Sequence, residues 1–202
     1  MALATTASPA AAQKENDGIN DFLPSYLGLK NNDLDVDNAE VFYNGSQFLF
    51  TATMRGPINT TPGAFYVFGL NKGAGTAGFA AIAPGVLFDQ VIVLRQTGAF
   101  VGATQINNYF AINGNTITGV IPQSFLPSTG FSFANYQWNL WSRDAGQSGN
   151  ASIADFAPDN IDNRMTVVSS FGTLVPEPST YALMFAGLVI VGGMALRRRP
   201  LV

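Results

Sequence analysis

Two acidic segments of the sequence carry oxygen ligands at spacings that suit a hard cation. Asp33, Asp35 and Asp37 alternate with apolar residues, like the first ligands of an EF-hand loop, but the Gly and Glu that complete such a loop are missing. Alternate carboxylates can nevertheless converge on one calcium ion, which makes calcium a candidate cofactor. The second segment surrounds Pro158 and contains Asp155, Asp159 and Asp162, together with Asn160 and Asn163.

Each acidic segment also has a purely structural interpretation. The alternation of Asp33 and Asp35 with Leu34 and Val36 fits a strand that enters a sheet with its acids facing water. The segment around Pro158 fits a solvated turn shaped by Asx hydrogen bonds. We favour the structural interpretation of both segments, so the sequence predicts no cofactor and leaves calcium as the alternative.

Two tryptophans have rings that could stack on sugars. Trp138 and Trp141 lie in one apolar segment close to Asp144. The alternation of Trp138 with Leu140 turns one face inward, and a buried tryptophan is common in sandwich cores. The sequence therefore predicts that one tryptophan belongs to the core and leaves the other open, so Trp138 and Trp141 are both candidate glycan contacts.

The composition excludes most kinds of catalytic site. The chain has no histidine and no cysteine, which excludes Ser-His-Asp and Cys-His nucleophilic sites, imidazole zinc sites and thiolate metal sites. A glycoside hydrolase or lyase needs two carboxylates about 5–9.5 Å apart across its substrate, and the sequence gives no sign of such convergence. We therefore predict no catalytic residues and a protein that is not an enzyme.

Two short motifs resemble known sites but lack the context that those sites require. Gly73–Gly78 fits G-x-G-x-x-G, yet Pro84-Gly85 would end any following helix, so a loop is the better interpretation. Leu126–Gly130 fits the L-P-x-T-G sortase pattern, but it lies far from the apolar C-terminal segment, and a proline turn explains it.

The elements that must position these residues are short strands. Asn44-Gly45 between two alternating apolar runs, Glu40–Tyr43 and Gln47–Met54, is a strong hairpin signal. Phe, Tyr, Trp and Gly are abundant, and no 3.6-residue period persists before Tyr181. We predict one all-β domain at residues 20–172, an antiparallel β-sandwich of jelly-roll type. Its other strands are predicted at Ala64–Leu70, Gly78–Ala83, Val86–Leu94, Tyr109–Ile112, Thr116–Ile121, Tyr136–Ser142 and Met165–Phe171.

The charge of the chain argues against nucleic-acid binding. The formal net charge of the chain is −3. Three of its basic residues are arginines at the C-terminus, so the body before them is more acidic than the whole chain. Nucleic-acid binding depends on clustered Lys and Arg, which the acidic body does not offer. The sequence therefore predicts no nucleic-acid partner.

The C-terminus has three successive parts. A Pro-Glu-Pro linker at residues 173–180 is predicted to be extended, because proline cannot continue a helix interior or a strand ladder. Tyr181–Leu196 is uncharged and would form a helix of about 24 Å, short for a hydrocarbon core of about 30 Å. The basic tail at residues 197–202 begins with Arg197, Arg198 and Arg199, which fits positive-inside retention. We predict a single transmembrane helix at residues 181–196.

These three parts together resemble a PEP-CTERM sorting signal. The resemblance implies a sorting motif made of Pro176, Glu177, Pro178, Arg197, Arg198 and Arg199. It also implies an exosortase as processing partner, in a Gram-negative bacterium. The chain would then pass through an inner-membrane intermediate to the cell surface or the extracellular space, and such proteins are associated with exopolysaccharide and biofilm production.

The rest of the chain adds context to that resemblance. Residues 1–19 are predicted to be a disordered leader or the remnant of a signal peptide, since Ala10–Ala12 resembles a cleavage site. The body resembles domains of other exported PEP-CTERM proteins through Gly56–Gly63, Trp138–Asp144 and Asp155–Asn160. The leading hypothesis is an exported, non-enzymatic binding or scaffolding protein. The alternative is a calcium-dependent carbohydrate-binding module.

Overall fold

The hairpin predicted at Asn44-Gly45 lies at the centre of the first sheet. Gly45 has a φ of 98°, a left-handed conformation that costs glycine little, and the Asn44 Oδ1 atom accepts the backbone N–H groups of Ser46 and Gln47 at 3.0 and 2.8 Å. These local interactions define the turn. The computed structural model describes residues 14–106, 109–159 and 165–170, all of which belong to the compact unit Ala10–Phe171.

The first sheet is built outward from this hairpin. Its strand order is β1-β2-β3-β11-β10, with β15 also paired to β2, and every pair is antiparallel except β15 with β2. The strands are β1 (Glu15–Asn16), β2 (Val36–Tyr43), β3 (Gln47–Met54), β10 (Phe110–Asn113), β11 (Thr116–Pro122) and β15 (Ser169–Ser170).

The second sheet is antiparallel throughout and has the order β13-β12-β4-β7-β8-β9, with β14 paired to β12. A separate two-stranded sheet joins β5 to β6. Their strands are β4 (Ala64–Asn71), β5 (Thr76–Phe79), β6 (Ala83–Phe88), β7 (Gln90–Arg95), β8 (Gly98–Val101), β9 (Thr104–Gln105), β12 (Gln137–Asp144), β13 (Ile153–Ala157) and β14 (Thr166–Val167).

The main core lies between the first and second sheets. Alternate residues of β3 are buried, and their rings meet rings from the second sheet, as Phe50 meets Phe68 at a centroid distance of 5.2 Å. Trp138 of β12 packs 6.0 Å from Phe68 in the same core. Aromatic pairs of this kind bury large apolar areas, so this core supplies much of the stability of the body.

The outer face of the second sheet is covered by β5 and β6. Trp141 points to this face, where its ring centroid lies 4.9 Å from that of Phe79 and 5.3 Å from that of Phe88. The ring rests on Gly69 of β4, where an added Cβ would come within 2.5 Å of the Trp141 Cζ3 atom. The glycine therefore allows the indole to lie flat against the sheet.

The structure confirms that the body is all-β with antiparallel sheets, and it changes some strand bounds. Gly78–Ala83 contains the turn between β5 and β6, and Val86–Leu94 is divided at Asp89. Strands β8 and β13 were not predicted, and β1 lies within the segment 1–19 predicted as a leader.

No helix among the described residues is both long and apolar enough to cross a membrane. The helix predicted at residues 181–196, the linker at 173–180 and the basic tail at 197–202 all lie outside the described residues.

Candidate metal centre

Five aspartates converge where the N-terminal segment crosses the ends of β2 and β13. Their carboxylate oxygens form two sets, Asp17 with Asp21 and Asp159, and Asp21 with Asp35 and Asp155. Within each set the oxygens lie within 4.8 Å of one another, and Asp21 belongs to both sets. Ligands of one calcium ion lie about 2.3–2.6 Å from it, so two of them are at most about 5 Å apart. We call these five residues the carboxylate cluster.

Backbone hydrogen bonds hold the N-terminal arm, residues 14–23, beside the other members of the cluster. Strand β1 pairs with β2 through Glu15 and Asn16, and Leu23 then joins β13. The arm therefore spans the two strands that supply the remaining carboxylates. Its contacts are Asp17 N–H to Asp37 O at 3.0 Å, Asn20 N–H to Asp35 Oδ2 at 3.1 Å, and Leu23 N–H to Ala154 O at 2.9 Å.

The turn that precedes β2 fixes Asp35. The three carbonyl groups of Asp33, Leu34 and Asp35 each accept a hydrogen bond from elsewhere in the body. Those bonds leave the carboxylate of Asp35 as the oxygen ligand that the turn offers to the cluster. The donors are Tyr66 Oη to Asp33 O at 2.8 Å, Ser142 Oγ to Leu34 O at 2.5 Å, and Arg55 N–H to Asp35 O at 2.9 Å.

Asp155 lies in the middle of β13, and two backbone hydrogen bonds hold its carboxylate. Its two oxygens accept the backbone N–H groups of Val36 and Phe156, each at 2.8 Å. The residue is only 1% exposed. Because each carboxylate oxygen has more than one lone-pair direction, Asp155 keeps capacity to bind a cation while it accepts these bonds.

Other oxygens of the cluster have no donor among the described residues. Both carboxylate oxygens of Asp17 and the Oδ1 atom of Asp21 are buried without a hydrogen-bond partner. Asp159 lies within hydrogen-bonding reach of both residues, but it is another acid. No lysine or arginine among the described residues forms an ion pair with the cluster, and the nearby Arg55 pairs with Asp37 instead. A buried carboxylate without donors is costly, so the cluster needs either shared protons or a cation.

The electrostatics of the cluster reflect this deficit. Burial, together with the charges of Asp155, Asp159 and Asp21, raises the pKa of Asp17 to about 9. Burial also raises the pKa of Asp155 to about 8, although the hydrogen bond from Val36 opposes the shift. The pKa values of Asp21 and Asp35 are raised too, again mainly by burial. With an effective dielectric constant of about 20, two unit charges about 5 Å apart repel by about 3 kcal/mol.

The structure separates the three aspartates that the sequence placed in one calcium run. Asp33 is buried, and its oxygens accept Thr61 N–H at 2.6 Å and Thr61 Oγ–H at 2.7 Å. Asp35 enters the cluster, whereas Asp37 forms a salt bridge of 2.9 Å with Arg55. The prediction that these acids face water from a strand is wrong for Asp33 and Asp35, because both are buried in the turn before β2.

The second predicted segment contributes two of its three aspartates. Asp155 and Asp159 both belong to the cluster, whereas Asp162 lies outside the described residues. Sequence reasoning missed Asp17 and Asp21, because the first falls in the predicted leader and the second just beyond it. The available signal was Phe22, an apolar neighbour that is buried and indicates that the arm packs on the body.

The tryptophans are not available for glycan contact. Trp138 is fully buried between the sheets, as predicted for one of the pair, and Trp141 is 2% exposed beneath β5 and β6. The expectation that Trp141 is exposed beside Asp144 is therefore wrong. It failed because sequence periodicity shows which face of β12 a residue occupies, but does not show that β5 and β6 cover that face.

The loop at Gly73–Gly78 has no free amides for a phosphate at its start. The Asn71 Oδ1 atom accepts Gly73 N–H and Gly75 N–H, each at 3.0 Å. Asp89 accepts the backbone N–H groups of Lys72 and Ala74, each at 3.1 Å. The Lys72 ammonium in turn donates to the Pro127 carbonyl at 3.0 Å, which ties this loop to the Leu126–Gly130 turn. Gly73–Gly75 and Leu126–Gly130 are therefore structural loops, as predicted, whereas Thr76–Gly78 belongs to β5.

Comparison with known proteins adds one finding. Residues 174–199 match the PEP-CTERM protein-sorting motif, and this range contains Pro176, Glu177, Pro178 and the three arginines Arg197, Arg198 and Arg199. The predicted resemblance of the C-terminus is thereby confirmed. No curated protein matches the chain. The motif indicates an exported protein that an exosortase sorts at the membrane for the cell surface.

Proposed function

We propose that this protein is a non-enzymatic binding or scaffolding component of the cell surface or extracellular matrix. The observation that carries the proposal is the PEP-CTERM motif at residues 174–199, which follows an all-β body in the sequence. The motif provides the route out of the cell, and the body is the part that acts there. We further propose that its setting is the exopolysaccharide of a biofilm.

The cavities of the body support binding rather than hydrolysis. The concave surface beside Asp144 and the one beside Asp89 each contain that single carboxylate. Hydrolysis of a glycosidic bond normally uses two carboxylates on opposite sides of the substrate. Among the described residues, the carboxylates that converge are the five of the cluster, where the N-terminal arm lies against the body.

A deletion strain tests the matrix role. If the proposal is correct, the deletion strain forms a matrix with less total polysaccharide-bound protein and less cohesion. Complementation with the full chain restores both. A chain with Pro176, Glu177 and Pro178 all replaced by alanine should stay at full length in the membrane fraction and fail to complement. An unchanged matrix in the deletion strain would contradict the proposal.

A second assay separates scaffolding from catalysis. Exopolysaccharide incubated with the full chain should keep its length distribution, as measured by size-exclusion chromatography with light scattering. A time-dependent shortening would show that the protein is an enzyme. The Asp144→Asn and Asp89→Asn variants would then show whether one of the single-carboxylate surfaces is responsible.

The second candidate is a carbohydrate-binding module, which a cavity at one end of the second sheet favours. Its volume is about 350 Å³. The Arg95 guanidinium lies 5.4 Å from the centre of the Phe65 ring, so the surface combines an aromatic side chain with hydrogen-bond donors, as sugar sites do. The lining residues are Gly63, Ala64, Phe65, Arg95, Gln96, Thr97 and Ala145.

A glycan array probed with the full chain, with and without EDTA, tests this candidate. Binding that is lost in Arg95→Ala but kept in Arg55→Ala would support the cavity as the site. Lack of retention on every polysaccharide, with and without calcium, would exclude a carbohydrate-binding role.

A further inference from the structure

We propose that the carboxylate cluster binds calcium and that the bound ion fastens the N-terminal arm to the body. Asp21 is the central ligand, because it is common to both sets of oxygens. The inference rests on the body alone and does not depend on the proposed role in the matrix.

The first step of the argument is the geometry of the ligands. Each set brings three carboxylates, from the arm and from distant parts of the chain, within the spacing that one calcium ion allows. Calcium takes about six to eight oxygen ligands in flexible geometry, whereas magnesium requires a near-ideal octahedron at about 2.0–2.1 Å. The cluster combines an irregular arm, a turn and a strand, which gives no regular octahedron and therefore fits calcium better.

The second step is the unpartnered oxygens. Both oxygens of Asp17 and the Oδ1 atom of Asp21 are buried in the cluster, and no donor from the described part of the chain reaches them. Elsewhere in this body buried carboxylates do receive donors, as Asp33 does from Thr61. The oxygens of Asp17 and Asp21 are therefore left for a ligand with positive charge.

Shared protons are the competing explanation for the cluster. A proton can join Asp159 to one of its neighbours, but one proton satisfies only one pair of oxygens. Five converging acids would require several protons at neutral pH, whereas one divalent ion neutralises two charges and contacts several oxygens at once. Calcium also suits an exported protein, since extracellular calcium modules bind with dissociation constants of about 10⁻⁴–10⁻³ M.

Isothermal titration of the full chain in detergent with calcium chloride, up to about 10 mM, tests the proposal. We expect saturable binding of one or two ions per chain and at least a tenfold weaker affinity for magnesium. Asp21→Asn should lose the binding. The matched control is Asp37→Asn, which removes a nearby carboxylate that pairs with Arg55 and belongs to neither set, and it should bind like the wild type.

Hydrogen exchange provides the second measurement and tests the position of the ion. Calcium should slow exchange of the arm amides at Asp17, Asn20 and Leu23 in the wild type, and should have no effect on them in Asp21→Asn. Absence of saturable binding in the wild type, or equal binding by wild type and Asp21→Asn, would overturn the proposal. Binding without added protection of the arm would overturn its second half, the fastening of the arm. Circular dichroism confirms that each variant is folded.

Discussion

Asp33 and Asp17 are acids with buried oxygens in neighbouring parts of the molecule, and they differ in the partners those oxygens have. Asp33 accepts two hydrogen bonds from Thr61, so its charge is compensated within the protein. Asp17 accepts none from the described residues, and the nearby charges of Asp155, Asp159 and Asp21 raise its pKa. The comparison teaches that burial alone does not mark a ligand. Between these two residues, the difference is whether donors of the protein reach the carboxylate and compensate its charge.

Removal of Asp33 should give the largest effect. Asp33→Ala leaves the buried N–H and hydroxyl of Thr61 without an acceptor, and should lower the free energy of unfolding by about 3 kcal/mol. Urea denaturation measures the change, which should be the same in calcium and in EDTA. Asp33→Asn keeps one acceptor and should lose about half as much. A loss of stability seen only in calcium would mean that Asp33 acts with the cluster as a calcium ligand and does not differ from Asp17 in this respect.

Neutralisation of Asp17 should have an effect whose sign depends on calcium. Its oxygens accept no hydrogen bond from the described residues, so Asp17→Asn removes the cost of burying or protonating the acid without removing a bond, and the new amide can donate to Asp159. In EDTA the variant should be more stable than the wild type by about 1–2 kcal/mol. In calcium it should be less stable, because it lacks a ligand. Thermal unfolding in the two buffers measures this reversal, and a variant that is destabilised equally in both would argue against a calcium ligand at Asp17.

The pH dependence of stability sharpens the same contrast. The pKa values of Asp17 and Asp155 rise on folding to about 9 and about 8, so the folded chain binds more protons than the unfolded chain. Stability is therefore highest below the unfolded pKa of about 4 and falls as the pH rises through the folded values. In EDTA the temperature of the unfolding midpoint should decrease as the pH rises from about 5 to about 8. Saturating calcium should reduce this fall, since calcium replaces the protons. A midpoint in EDTA that rises over this range would contradict the assigned burial.

The exposed salt bridge should give the smallest effect. Arg55 and Asp37 are partly exposed, and pairs of this kind contribute less than about 1 kcal/mol. Asp37→Asn should therefore change the free energy of unfolding by less than that amount in calcium and in EDTA. Urea denaturation of this variant alongside Asp33→Ala would show that two acids of one sequence run differ in energetic importance. If Asp37→Asn lowers the free energy of unfolding as much as Asp33→Ala does, the two acids do not differ in energetic importance.

Local signals were read correctly from the sequence, and signals that depend on distant neighbours were not. The Asn44-Gly45 hairpin was predicted because its turn and strands are adjacent in the chain. Strand β13 was missed because Asp155 interrupts its apolar pattern, and only the fold shows that Val36 donates to that acid. Trp141 was left open because β5 and β6, which cover it, are distant in the chain. The cluster combines residues as far apart as Asp17 and Asp159, a convergence that no spacing rule contains.

Both ends of the described body meet on one strand. The outer edge of β2 pairs with β1 at Asn38 and Ala39, and with β15 at Phe42 and Tyr43. An exposed strand edge is a template for strand addition by another chain, and here two short strands occupy it. The two short strands thereby protect the chain from polymerisation through this edge. Detachment of the arm from β2 would expose the edge at Asn38 and Ala39, which β1 covers. Loss of the arm would therefore favour aggregation.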